Sequence, residues 1–150
     1  MKKREPRISI RRARADEIPA CAILYERAGR AAFTWRPKNY FERRNFLRHA
    51  RSEEIWVAVR DGKILGVLGF RRPERFIHHL YVARRHQGRG IGTRLIASVR
   101  RASKGRLELK VDAANKKAIA FYESRGFRRA KGKGATGLDW GKRWWRYTLS

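Results

Sequence analysis

Between Phe76 and Val99 the chain reads as a strand, a glycine turn and a helix, and this unit limits the folds open to it more than any other stretch. Phe76 to Val82 is an apolar run of the length of a buried strand, glycines follow at positions 88, 90 and 92, and Ile91, Leu95, Ile96 and Val99 then recur at helical spacing. Glycine has no Cβ, so the backbone there can crowd a ligand, and the amides that open a helix have no partners within it. Together with the positive end of the helix dipole, such a turn suits a phosphate or pyrophosphate. The glycines fall as G-x-G-x-G, which excludes the dinucleotide fingerprint G-x-G-x-x-G, and the Gly-Lys-Ser/Thr of a P-loop is absent. What is left, Arg85-His-Gln-Gly88-Arg-Gly90, is an R-x-x-G-x-G.

That hexapeptide resembles the loop with which the GCN5-related N-acetyltransferase superfamily holds the pyrophosphate of acetyl-CoA, written Q/R-x-x-G-x-G/A. Downstream, Leu107 to Val111 reads as another strand, followed by Asn115, Ala118, Phe121-Tyr122-Glu123 and Gly126-Phe127. This is similar to the second half of the same superfamily, where an Asn opens a helix, a Tyr sits near its end and a Gly-Phe pair starts the next strand. The resemblance covers most of the chain. It implies an α/β (α+β) fold, with a mixed, mostly antiparallel seven-stranded sheet and about four helices. It also implies transfer of acetyl from acetyl-CoA to a primary amine by direct attack, the amine belonging to a small molecule or to a protein N-terminus or lysine.

The same resemblance assigns roles. Leu80, Tyr81 and Val82 would offer unpaired backbone groups to the pantetheine arm, because the fourth and fifth strands splay there. The backbone from Gln87 through Gly88, Arg89, Gly90, Ile91 and Gly92 to Thr93 would hold the pyrophosphate, and Asn115 joins this coenzyme set. Arg85 or Arg89 would reach the nucleotide phosphates, or else stand as a solvated charge. Tyr122 matches the tyrosine that serves as general acid, and a phenol with a pKa of about 10 carries its proton at neutral pH. For the base, the ribosomal-protein acetyltransferases use a Glu on the fifth strand where this chain has Lys110, which argues against that mechanism. His78 and His79 on the fourth strand are the remaining candidates, since imidazole titrates near neutrality. Strand alternation puts one of them in the cleft. Parity with Leu80 and Val82 favours His78, and a β-bulge would reverse the choice. Four histidines and one cysteine show no metal-ligand spacing, so no metal is expected.

The charge needs its own account. Lys and Arg number 39 against 13 Asp and Glu, a net charge of +26 that the few charges of coenzyme A do not explain. A bias towards Arg, an anionic polymer such as ribosomal RNA or DNA, and an acidic acceptor are the readings that compete. In each, cationic acceptors such as polyamines are repelled unless a local acidic pocket overrules the field. A rival function follows: a basic module that binds nucleic acid or ribosome and keeps the fold, with acetyl-CoA regulatory or unbound. No apolar run reaches membrane-spanning length and the basic start lacks an apolar signal core, so a cytoplasmic protein without membrane contact is expected, as monomer or homodimer. Cys21, the single cysteine, reads as a small buried hydrophobe.

Residues 1–6 read as a basic tail and 7–150 as one domain. Asp16 is expected to cap a first helix stopped near Gly29, and 31–37 to form a mobile loop over the acceptor cleft. A second helix is expected over 37–49 with Tyr40, Phe41, Phe46 and Leu47 inward. Asp61-Gly62 should turn a hairpin, and Gly132, Gly134 and Gly137 should form a loop before a last strand from Arg143 to Leu149.

Overall fold

The structure is a computed structural model that describes residues 7–150; the tail expected at 1–6 lies outside the described residues. Its strands are β1 (Ser9–Arg12), β2 (Glu54–Arg60), β3 (Lys63–Arg71), β4 (Phe76–Val82), β5 (Leu107–Asp112), β6 (Arg128–Arg129), β7 (Thr136–Asp139) and β8 (Lys142–Leu149). They form one sheet in the order β1-β2-β3-β4-β5-β8-β6, with β7 also on β8. Among the described residues, only β4 and β5 run parallel. The helices are α1 (Ile18–Ala32), α2 (Arg43–Ala50), α3 (Ile91–Ser103) and α4 (Lys116–Ser124). The expected class therefore holds, with an eighth strand added.

Strand alternation divides the core in two. Ala58, Leu68 and Ile77 pack with Leu95, Ile96 and Val99 of α3 and with Phe127 and Tyr147, while Val57, Val59 and Val67 pack on the other face with Cys21, Tyr25 and Phe46 of α1 and α2. Burial pushes the Cys21 thiol up to about 12. Cys21 should therefore resist thiol reagents in the folded protein and react only on unfolding, as timed labelling would show. The hairpin at Asp61-Gly62 forms as expected, both residues taking positive φ (51° and 72°).

Several boundaries differ, each for a tertiary reason. A 3₁₀ turn (Ala15–Glu17) precedes α1, and Glu17 rather than Asp16 serves the helix entrance: its carboxylate accepts from the Arg14 amide at 2.8 Å and from both Arg11 nitrogens. Gly29 does not stop α1. It lies within the helix against the Phe41 ring, where a Cβ would stand 2.3 Å from Cδ1. Gly29→Ala should thus destabilise by about 1–2 kcal/mol, the overpacking outweighing the helix-propensity gain, and thermal melting would show a drop of several degrees. The second helix breaks at Glu42, whose extended backbone (ψ 140°) separates a 3₁₀ turn (Lys38–Phe41) from α2. Phe41 and Phe46 point inward, and Leu47 is 41% exposed. Gly137 lies in β7 rather than in a loop, because the Trp144 indole of β8 covers it: a Cβ there would sit 2.5 Å from Cζ2.

The segment expected to be mobile over the cleft is bolted to the sheet. The Arg36 side chain, 1% exposed, grips Asp112 at the end of β5 with two bonds of 2.6 and 2.7 Å and reaches Asp139 of β7 at 3.3 Å. Trp35 Nε1 donates to the same Asp112 carboxylate at 2.9 Å, and the Tyr40 hydroxyl donates to Asp139 at 2.5 Å. Asp112→Asn would leave the guanidinium buried with Asp139 alone as counter-charge. The expected cost is roughly 2 kcal/mol, below that of a fully orphaned buried charge, and is measurable by urea unfolding.

Candidate active site

The site begins where the parallel pairing of β4 with β5 ends. β4 and β5 pair at Phe76 with Glu108 and at Ile77 with Leu109, then part, while β3 stays paired with β4 up to Val82. Leu80, Tyr81 and Val82 are therefore left with a β5-side edge facing a cleft of roughly 2270 Å³. Ligand sites of ordinary size occupy about 300–1,000 Å³. The opening can take a long thiol ester and an acceptor together.

At one end of the cleft, the turn before α3 is shaped by Gly88 (φ 76°) and Gly90 (φ 81°), and nothing lies within 4 Å of where their Cβ atoms would be. Gly90 caps α3 and its carbonyl accepts the first helical bond, from Arg94 at 3.0 Å. The amides of Ile91, Gly92 and Thr93 precede that bond and remain available. Thr93 Oγ1 is buried with no hydrogen-bond partner and lines the cleft. Open space, free donors and an orphaned hydroxyl fit a pyrophosphate. Arg85, Gln87 and Asn115 also line the cleft, whereas Arg89 is exposed and stands outside its lining. Asn115 caps α4, its side chain accepting from the Ala118 amide at 3.1 Å.

Tyr122, in the last turns of α4, faces the cleft and packs edge-on against Phe121 (5.3 Å) and Phe127 (5.5 Å). Burial raises the pKa of its hydroxyl.

On the facing side a β-bulge settles the arrangement of the histidines. Gly69 pairs with His79 and Phe70 with Ile77, so His78 is the extra residue in β4. The expectation that only one histidine lies in the cleft is thereby corrected: both side chains line it, their ring centroids 4.0 Å apart. His78 is 27% exposed and its Nδ1 lies 2.7 Å from Glu53 Oε2, so Nδ1 is placed to donate to the carboxylate and Nε2 is the nitrogen left to accept. His79 is buried between Tyr25 and Phe46, and its Nε2 lies 3.3 Å from Nδ1 of His49. Burial, then the neighbouring His78 and His49, holds the His79 pKa well below its usual value; burial and His78 lower that of His49.

Sequence reasoning missed His49 and Glu53. No local pattern marks them, since Glu53 lies in the turn after α2, beyond the reach of helical periodicity. Lys110 also lines the cleft, its Nζ 4.1 Å from the centre of the Trp144 ring, and desolvation, Arg146 and Arg71 lower its pKa.

An acetyltransferase (GNAT) family model matches residues 18–127. Among curated proteins, the 5-NmdU N-acetyltransferase of Pseudomonas phage PaMx11 is 34% identical over 96 residues, covering 60% of this chain and 69% of that protein. Two solved structures share the fold. A GCN5-related N-acetyltransferase from Rhodopseudomonas palustris superposes with a TM-score of 0.78 at 16% identity, over 100% of this chain and 99% of the other. The PaiA N-acetyltransferase from Thermoplasma acidophilum, solved with coenzyme A, gives 0.76 at 15% identity, over 93% and 98%.

Proposed function

The chain belongs to the acetyltransferase (GNAT) family, and from that premise we propose that it moves the acetyl group of acetyl-CoA to a primary amine by direct attack, with Tyr122 as general acid and His78 as base or relay. The observation that carries this reading is the parting of β4 from β5 in the same cleft that the Gly88–Gly90 turn lines. It sets a free strand edge for an amide-bearing arm in line with free helix amides for a pyrophosphate. Acetyl-CoA supplies the activated acyl group. Leu80 to Val82 orient its arm, and the amides before Arg94 hold its phosphates. As the amine nitrogen bonds to the carbonyl carbon and the C–S bond breaks, Tyr122 gives its proton to the departing thiolate and His78 takes the proton released by the amine. Glu53 keeps His78 in the tautomer that can accept. His79, buried with Nε2 turned to His49, serves this site as a relay at most.

The acceptor end carries Arg71, Lys110 and Arg146 around Phe76 and Trp144. This local field opposes polycationic acceptors and suits an amine borne by a neutral or anionic molecule, whether a small molecule or a protein N-terminus or lysine. The phage relative is named for acetyl transfer to 5-NmdU. The rival reading, a basic module for nucleic acid, is favoured by cations stacked on aromatic rings, such as Arg129 at 3.2 Å over Trp145.

A thermal shift at moderately high salt separates the two, with ATP as the control for charge. Acetyl-CoA should raise Tm and ATP should not, since only the native site binds the former; amines are then screened for turnover. Equal shifts, or none, would assign the function to the basic surface instead.

A further inference from the structure

The buried carboxylate of Glu53 is not accounted for by proton transfer. Its side chain is 1% exposed and Oε2 is engaged by His78, yet Oε1 has no hydrogen-bond partner. A desolvated, half-unsatisfied carboxylate is costly unless a cation completes it. The backbone makes room for it: at Gly69 a Cβ would stand 2.8 Å from Oε1 and 3.0 Å from His79 Cδ2. Oε1 lies 3.8 Å from His79 Nε2. Among the described residues, one nitrogen from each of His49, His78 and His79 lies within 4.8 Å of the other two.

We propose that His49, His78 and His79 form a three-imidazole binding site for a transition-metal dication of the Zn(II) type, with Glu53 supporting it from behind His78 and solvent completing the coordination. Four donors at tetrahedral angles and Zn–N lengths near 2.0–2.1 Å stand about 3.3 Å apart. The His79 Nε2 to His49 Nδ1 separation is already 3.3 Å. His78 is more exposed than His79 (27% against 5%) and sits on a bulge, so it is the ring placed to close the remaining distance. Glu53 Oε2, by accepting from His78 Nδ1, leaves Nε2 of that ring to face the metal, the support that ligating histidines commonly receive.

The donor set also selects the ion. Three imidazoles with an open fourth position suit Zn(II), Co(II), Ni(II) and Cu(II), whereas Mg(II) and Ca(II) require oxygen donors. Arg71, stacked on Phe76 at 5.0 Å, adds an opposing charge, so affinity must come from the nitrogens rather than from the field. The site lies away from the α3 turn, and metal binding does not depend on acetyl-CoA. A metal would, however, take the lone pair that His78 needs as a base, which makes the metal-loaded form the slower one.

The test uses the full-length, tag-free protein stripped with EDTA and titrated with cobalt chloride. One equivalent should bind with the intense visible absorption of four-coordinate Co(II), Zn(II) should displace it, and Mg(II) should not. His49→Gln and Glu53→Gln should each weaken Co(II) binding by about 10-fold or more, while a cooperative melt close to that of the unaltered protein shows that both variants fold. No binding, a pale six-coordinate spectrum, or an affinity in both variants equal to that of the unaltered protein would overturn the site. An acetyl-CoA thermal shift on the stripped protein is read separately, so loss of one assignment leaves the other standing.

Discussion

Gly90→Val should abolish acetyl-CoA binding while leaving retention on a polyanion unchanged. Gly90 holds φ 81° and ψ 8° at the start of α3. A side chain in that region costs about 1–2 kcal/mol from local sterics, and a β-branched one more. The position is open, with nothing within 4 Å of a built Cβ, so the new side chain meets no protein atom. It would instead fill the volume that gives a phosphate access to the amides of Ile91, Gly92 and Thr93. Backbone strain that turns those amides away and direct obstruction act together, and a loss above roughly 100-fold, or about 2.7 kcal/mol, is expected. Net charge stays at +26, so binding to heparin or an oligonucleotide, which follows charge and salt, should not move. Titration calorimetry on the one hand and salt elution on the other give the two readouts. Equal loss of both, or of neither, would remove the loop from the site.

How far the sequence disclosed this architecture depended on the range of the interactions involved. β4 was read from Phe76 to Val82 as it stands, and the Asp61-Gly62 turn was equally plain, because each rests on composition within a few residues, while the helix start at Asn115 came from the family resemblance. Gly29 and Gly137 were misread for the opposite reason. Each is glycine because a ring from elsewhere in the chain, Phe41 or Trp144, occupies the place of its Cβ, and nothing beside it in sequence says so. The bulge at His78 has the same character. It depends on the β3–β4 register, and one inserted residue converts alternation into two side chains on one face. Glu53 and His49 became legible only when α2 was laid against β4. Arg36 carried no local signal at all, since both its carboxylates are more than seventy residues away.

Tyr122→Phe is expected to lower kcat by about 10²–10⁴-fold, the usual contribution of a positioned proton donor, with little change in KM for acetyl-CoA. The substitution removes one oxygen and keeps the ring, so the edge-on contacts with Phe121 and Phe127 survive and thermal stability should move by no more than about 1 kcal/mol. A phenylalanine of normal stability and normal turnover would end the acid assignment. The pH profile supplies a second, independent readout. Burial raises the folded-state pKa of this phenol above its ordinary value of 10. The protonated form is the active one, so the rate depends on it fully at low pH and loses it only as pH rises through the raised pKa. Between pH 7 and about 10, then, Tyr122 should contribute no alkaline limb. A limb inside that window that vanishes in Tyr122→Phe would mean that the hydroxyl is solvated in the working complex, and that the burial which keeps its proton available for the thiolate is lost once the amine binds.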